Sequence, residues 1–127
     1  MHLLLSPLSV RQSAKKMFVL NMNIYRNSHF RTLAKTKKLY GELMAEQVRA
    51  LPKMEKVILH YQLYPKSHRL TDLDNVCSIH AKYIQDCLVY WERIPEDNYK
   101  FVIGSTQEMG VVDKINPRME VRIEEIK

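Results

Sequence analysis

Glycine occurs three times and proline five times in this 127-residue chain, which excludes collagen-like and low-complexity classes. The two cysteines, Cys77 and Cys87, are too few for a disulfide-stapled scaffold. Both fall within one expected helix, where ten residues at 1.5 Å rise set them about 15 Å apart along the axis, beyond disulfide reach. Buried thiols in a reducing cytoplasm are the expectation. Cys77 and His80 are three apart, but a zinc site needs four convergent ligands and no second pair has suitable spacing. No apolar run approaches the roughly 18 residues of a membrane helix, so no membrane partner is expected. Leu3-Leu4-Leu5 is broken by Pro7 and lacks a preceding basic segment, which argues against a secretion signal. There is no glycine-rich phosphate loop and no serine with a suitable histidine and aspartate, so neither a nucleotide cofactor nor serine nucleophilic catalysis is expected.

What is present suits one soluble globular domain spanning 1–127, with 46% apolar and 27% charged residues. The net charge of +6 is unevenly spread. Residues 1–71 hold 13 Lys/Arg against three Glu and no Asp, whereas residues 72–127 hold seven against 11 acids. A basic half suits a phosphate-rich partner, with carboxylates gathered elsewhere for local work; a solvated basic surface is the plainer alternative.

The apolar pattern predicts strands at His2–Leu5 and Met17–Ile24, joined by the polar stretch 6–16. An amphipathic helix is expected from Thr32 to Leu51, ended by Pro52. Lys56–Tyr64 alternates, with Val57, Leu59, Tyr61 and Leu63 on one face and Ile58, His60, Gln62 and Tyr64 on the other. A second helix is expected over Val76–Arg93, ended by Pro95, and closing strands over Asn98–Gly104 and Met119–Ile126. The order implies an α/β fold, a small mixed sheet with two main helices packed on it. The second helix is apolar across an arc of about 200°, more than one sheet requires, and a twofold partner subunit is the simplest second contact. His80 projects into that arc as a packed or interface histidine, and Trp91 and the tyrosines suit a core role. Tyr25 beside Arg26 is the exception, a candidate for DNA contact.

Asp72 and Asp74 are separated by one residue, so an extended backbone points both carboxylates the same way. Such a pair can share magnesium, which prefers oxygen ligands and leaves positions for phosphate oxygens. Asp86 on the helix and Asp97 beyond its end can complete the set if the helix packs back across the strand. A helix cap is the alternative, since Asp and Asn accept the free amides of a first turn, and both readings stand at this point. An EF-hand loop fails: counted from Asp72, its sixth and twelfth positions are Cys77 and Tyr83.

The run Asp72-Leu73-Asp74-Asn75, then Lys82-Tyr83-Ile84-Gln85-Asp86-Cys87-Leu88, then Ile94-Pro95-Glu96-Asp97-Asn98, resembles the RusA-type Holliday-junction resolvases. Members carry D-x-D-N, a helix with K-x-x-x-D-x-L and a paired acidic turn. The segment Leu20–His29 and the lysine-rich helix after it are similar to phage-encoded members. The resemblance implies a RusA-like fold, a homodimer, a four-way DNA junction as substrate, and magnesium, or manganese in its place, as cofactor. It implies the cytoplasm of a bacterium or phage-infected cell as the location. By resemblance Asp72, Asp74 and Asp97 become metal and catalytic residues, Lys82 the catalytic lysine, and Asp86 an orienting or metal-binding acid. Two departures stand out: some members carry the lysine one turn earlier, where this chain has Ser78, and Glu96-Asp97 replaces the common aspartate pair.

Arg26, His29, Arg31, Lys35, Lys37, Lys38, Lys66 and Arg69 are the expected phosphate contacts. The leading expectation is a magnesium-dependent endonuclease that resolves branched DNA by symmetric cuts with water as nucleophile. The alternatives are a noncatalytic DNA-binding or partner-inhibiting phage protein of this fold, and a nuclease of the same chemistry acting on flaps or forks.

Overall fold

The computed structural model describes residues 1–127. Three short strands, β1 (His2–Ser6), β2 (Ser9–Ser13) and β3 (Lys16–Val19), lead into helices α1 (Met22–Arg26) and α2 (Phe30–Arg49). Then follow β4 (Lys56–Tyr64), α3 (Leu73–Tyr90), β5 (Val102–Met109) and β6 (Arg118–Ile126). The main sheet has the order β1-β6-β4-β5; β4 and β5 are parallel, because α3 carries the chain back between them, and the other pairs are antiparallel.

The alternation of β4 falls as the sequence predicts: Val57, Leu59, Tyr61 and Leu63 are buried, alongside Met119, Val121 and Ile123 of β6. These residues join one apolar core of 24 residues under α2 and α3. The opposite face carries polar pairs instead. His60 contacts Thr106 at 2.7 Å and Glu124 at 2.9 Å, and Arg118 bridges Asp113 and Glu120 at 2.8 and 2.7 Å. The helices therefore cover a single face, and the expected mixed α/β arrangement is present.

Several boundaries differ from expectation. The polar stretch 6–16 contains β2 and, with β3, forms a separate two-stranded hairpin. Val10 and Phe18 bury themselves from it, and Gln12 hydrogen-bonds Thr36 on α2. The strand expected through Ile24 stops at Val19, since Asn21 caps α1 by accepting the Asn23 amide at 2.9 Å. The second helix begins earlier, at Leu73, because Asp72 caps it, and ends at Tyr90 rather than Arg93. There the chain turns through a left-handed Glu92, with Glu92 N–H donating to Val89 O at 3.0 Å and Arg93 N–H to Leu88 O at 2.7 Å. Finally, the strand expected from Asn98 starts at Val102, after a turn in which the Phe101 and Val102 amides donate to Asn98 O.

The wide apolar arc of α3 also finds a different explanation. One side faces the sheet and the other faces α2 of the same chain, with the Tyr40 and Tyr83 rings 5.2 Å apart. The same chain thus covers most of the arc, while Tyr90 at its end stays exposed. His80 is fully buried inside this arc, its Nδ1 2.7 Å from Ser6 Oγ, which lies 2.5 Å from the Tyr40 hydroxyl. Both cysteines are buried free thiols. No helix is long and apolar enough to cross a membrane.

Candidate functional site

The chain leaves β4 at Tyr64, crosses the exposed loop 66–71 and enters α3 at Asp72. Asp72 takes the capping role: its Oδ1 accepts the Asp74 amide at 3.0 Å and the Asn75 amide at 3.4 Å. Asn75 Nδ2 reaches Asp72 Oδ2 at 3.4 Å. Asp74 lies in the first helical turn, so the extended-strand geometry expected for the pair does not hold. It is capping that brings the two acids together at one end of α3. Both are exposed, and Asp74 Oδ1 accepts a hydrogen bond from Gln107 Nε2 of β5 at 3.3 Å. Lys66 and Arg69, also exposed, lie in the loop immediately before them.

The remaining acids lie elsewhere. Asp97 follows the far end of α3, whose 18 residues span about 27 Å at 1.5 Å per residue. That end is tied to the start of β4, with Met54 N–H donating to Arg93 O and Val57 N–H to Phe101 O, each at 2.7 Å. Asp86 stands three turns along α3 from Asp74 and pairs with Lys37 of α2 at 3.5 Å. One subunit thus places Asp72 and Asp74 at one end of α3 and Asp86 and Asp97 further along or beyond it, because the length of the helix holds them apart. No three His, Cys, Asp or Glu side chains in the chain converge as a metal cage. Lys82 is two turns beyond Asp74 with its Nζ 5.7 Å from the centre of the Tyr25 ring, and its partner is that ring rather than Asp86. Ser78, one turn beyond Asp74, is the nearer residue along the helix.

The thiol beside the acidic pair is chemically quiet. Burial, with a smaller contribution from the Asp74 charge, pushes Cys77 up to about 11, so the free thiol stays protonated at neutral pH. Burial raises Cys87 to about 11 in the same way.

The basic residues form two groups. Lys66 and Arg69 precede the acids in the loop 66–71, while Arg26, Arg31, Lys35, Lys37 and Lys38 lie exposed on α1 and the first half of α2. His29 caps α2, its Nδ1 accepting the Arg31 amide at 3.1 Å, and its ring stacks on Phe30. The hairpin adds Arg11, Lys15 and Lys16, also exposed, which were absent from the expected contacts. Their signal lies in the sequence: residues 1–41 contain eight Lys/Arg and not one Asp or Glu. Gln107 carried no such signal, since only the parallel pairing of β5 with β4 brings it to Asp74.

Between α2 and α3 runs a groove of about 930 Å³. Small residues of α2 (Ala34, Gly41, Ala45) form one wall and Tyr83, Tyr90 and Trp91 the other, with Asp86 and Asp97 at its polar margin. Compared with known proteins, the chain matches no family model and no curated protein.

Proposed function

We propose that this protein is a magnesium-dependent endonuclease that cuts branched DNA, a four-way junction above all, and that it works as a RusA-like homodimer in the cytoplasm. The observation that carries this reading is the pair Asp72 and Asp74, exposed at the start of α3 and preceded by Lys66 and Arg69. Carboxylates repel phosphate, so a DNA-facing surface gains from them when a cation stands between the two. The donor set suits magnesium, which is commonly held by one or two carboxylates while waters and substrate phosphates fill the other positions. When bound, the ion activates water and neutralises charge at phosphorus. The chain's own groups do the rest. Gln107 orients the Asp74 carboxylate, and Lys66 and Arg69 hold the phosphodiester against the pair.

Asp97 joins this pair only from a second copy. A twofold axis that lays two α3 helices antiparallel sets the Asp97 end of one beside the Asp72 end of the other. A second reading, a noncatalytic branched-DNA binder or partner inhibitor, draws on one observation: Lys82 rests on Tyr25 rather than beside the carboxylates.

The test incubates the protein with a four-way junction, a linear duplex and a flap, in magnesium or EDTA. Symmetric nicks in the junction that need magnesium support the resolvase; binding without cutting supports the binder. Flap cleavage in place of junction cleavage moves the substrate but keeps the chemistry. Asp74→Asn and Asp97→Asn are each expected to stop cleavage, and a mixture of the two to regain it, because one composite site in a mixed dimer keeps every acid. Full activity of Asp97→Asn removes that residue from the site.

A further inference from the structure

We propose that Phe30 is a stacking wedge for an unpaired base at a DNA branch point, an assignment that rests on the branched-DNA reading above. Phe30 opens α2 with 69% of its surface exposed, unlike the core residues Tyr40, Met44 and Val48 further along the helix. Its ring is nonetheless held in place. His29 stacks on it with centroids 4.5 Å apart and planes inclined by 30°, and the Arg31 guanidinium lies 5.8 Å from its centre. His29 is itself fixed, because its Nδ1 accepts the Arg31 amide as the helix cap. An aromatic ring ordered before binding loses little rotamer freedom when a base stacks on it.

The surroundings select the partner. The β2–β3 hairpin docks on the same end of α2, Gln12 contacting Thr32 O and Thr36 Oγ1, and it carries Arg11, Lys15 and Lys16. Lys38 follows Phe30 by about two turns, and no acid precedes Glu42 in the chain. An apolar peptide would find this ring in a field of cations with nothing to neutralise them. A nucleic-acid strand supplies phosphates for the cations and a flat π-face for the ring. In an intact duplex the faces are already stacked on their neighbours, so the ring acts where a base is unpaired, as at a branch.

The test uses the full chain in EDTA with two oligonucleotides: a duplex containing one unpaired 2-aminopurine, and the same duplex fully paired. Wild-type protein is expected to quench 2-aminopurine in the first and to bind it more tightly than the second. Phe30→Ala is expected to lose the quenching and roughly five- to hundredfold of affinity for the unpaired substrate, the range found when base-stacking aromatics are truncated. Its affinity for the paired duplex changes less than twofold, and Phe30→Tyr restores both properties. Wild-type quenching and affinity in Phe30→Ala, or an equal loss on both substrates, overturns the assignment while leaving the nuclease reading intact. Wild-type protein that binds neither DNA overturns both.

Discussion

The two ends of α3 are built in contrasting ways. At its C-terminal end the helix closes through the left-handed Glu92, and Arg93 ties three segments together. Arg93 Nη1 donates to Leu51 O at 2.8 Å, its Nε to Trp91 O at 3.0 Å, and its carbonyl accepts from Met54 N–H. At the N-terminal end Asp72 bonds only within its own turn, and Asp74 meets one exposed amide, Gln107. Groups that hold the fold together are saturated by the chain itself. The acids at the other end keep carboxylate oxygens open to solvent, and through them to an outside partner. This contrast sets an anchored end against one whose acids remain exposed on a single helix.

Four measurements sharpen or break it. The largest effect is expected at the open end: Asp72→Ser keeps a capping oxygen but loses the carboxylate, so junction cleavage falls on the order of 100-fold or more while thermal stability stays put. Asp72→Ala loses the cleavage and also about 1 kcal/mol of stability. Equal cleavage by wild type and Asp72→Ser reduces Asp72 to a cap.

At the closed end, Arg93→Ala is expected to cost about 2 kcal/mol in urea unfolding, since it removes charged hydrogen bonds to two half-buried carbonyls, and to leave DNA affinity unchanged. A loss of DNA binding without a loss of stability would erase the distinction between the ends.

The middle of the helix responds to acid. Burial pushes His80 down from 6.5 to about 3, so between those pH values the unfolded chain takes up a proton that the folded ring refuses. Its effect is nil above pH 6.5 and destabilising below it, reaching about 2 kcal/mol at pH 5. Urea midpoints from pH 7.5 to 5 should fall more steeply for wild type than for His80→Gln; parallel curves would refute a buried neutral ring. The smallest effect has the opposite sign. Glu92 sits at φ 57°, where glycine bears no Cβ penalty, so Glu92→Gly is expected to raise stability by about 0.5–1 kcal/mol in the same unfolding assay.

Much of this contrast was legible before folding was considered. Lys56–Tyr64 reads as a strand because its alternation is unbroken and Pro65 follows, and those are its observed bounds. Helix α2 reads nearly as well, since Tyr40, Met44 and Val48 recur at helical spacing and become its buried face. The hairpin escaped because its first strand shows only Val10 as an apolar position between polar neighbours, and docking on α2 is what buries it; Phe18 of the second strand lies in the apolar run already read as a strand. Helix α1, five residues long, is too short to show a period. The end of α3 escaped because a glutamate occupies the turn where glycine is the usual marker.

Local chemistry in the chain was enough to mark Asp72 and Asp74, the alternation of β4 and the cationic first half, because each depends on residues close in sequence. Which acids meet was a question for the tertiary structure. The length of α3 and the parallel return of β5 bring Gln107 to Asp74 and send Asp97 to the opposite end. Packing against α2 likewise covered most of an apolar arc that, on the helix alone, suggested a second subunit, and left Tyr90 exposed. A helical period shows how much surface must be buried; only the folded chain shows what buries it.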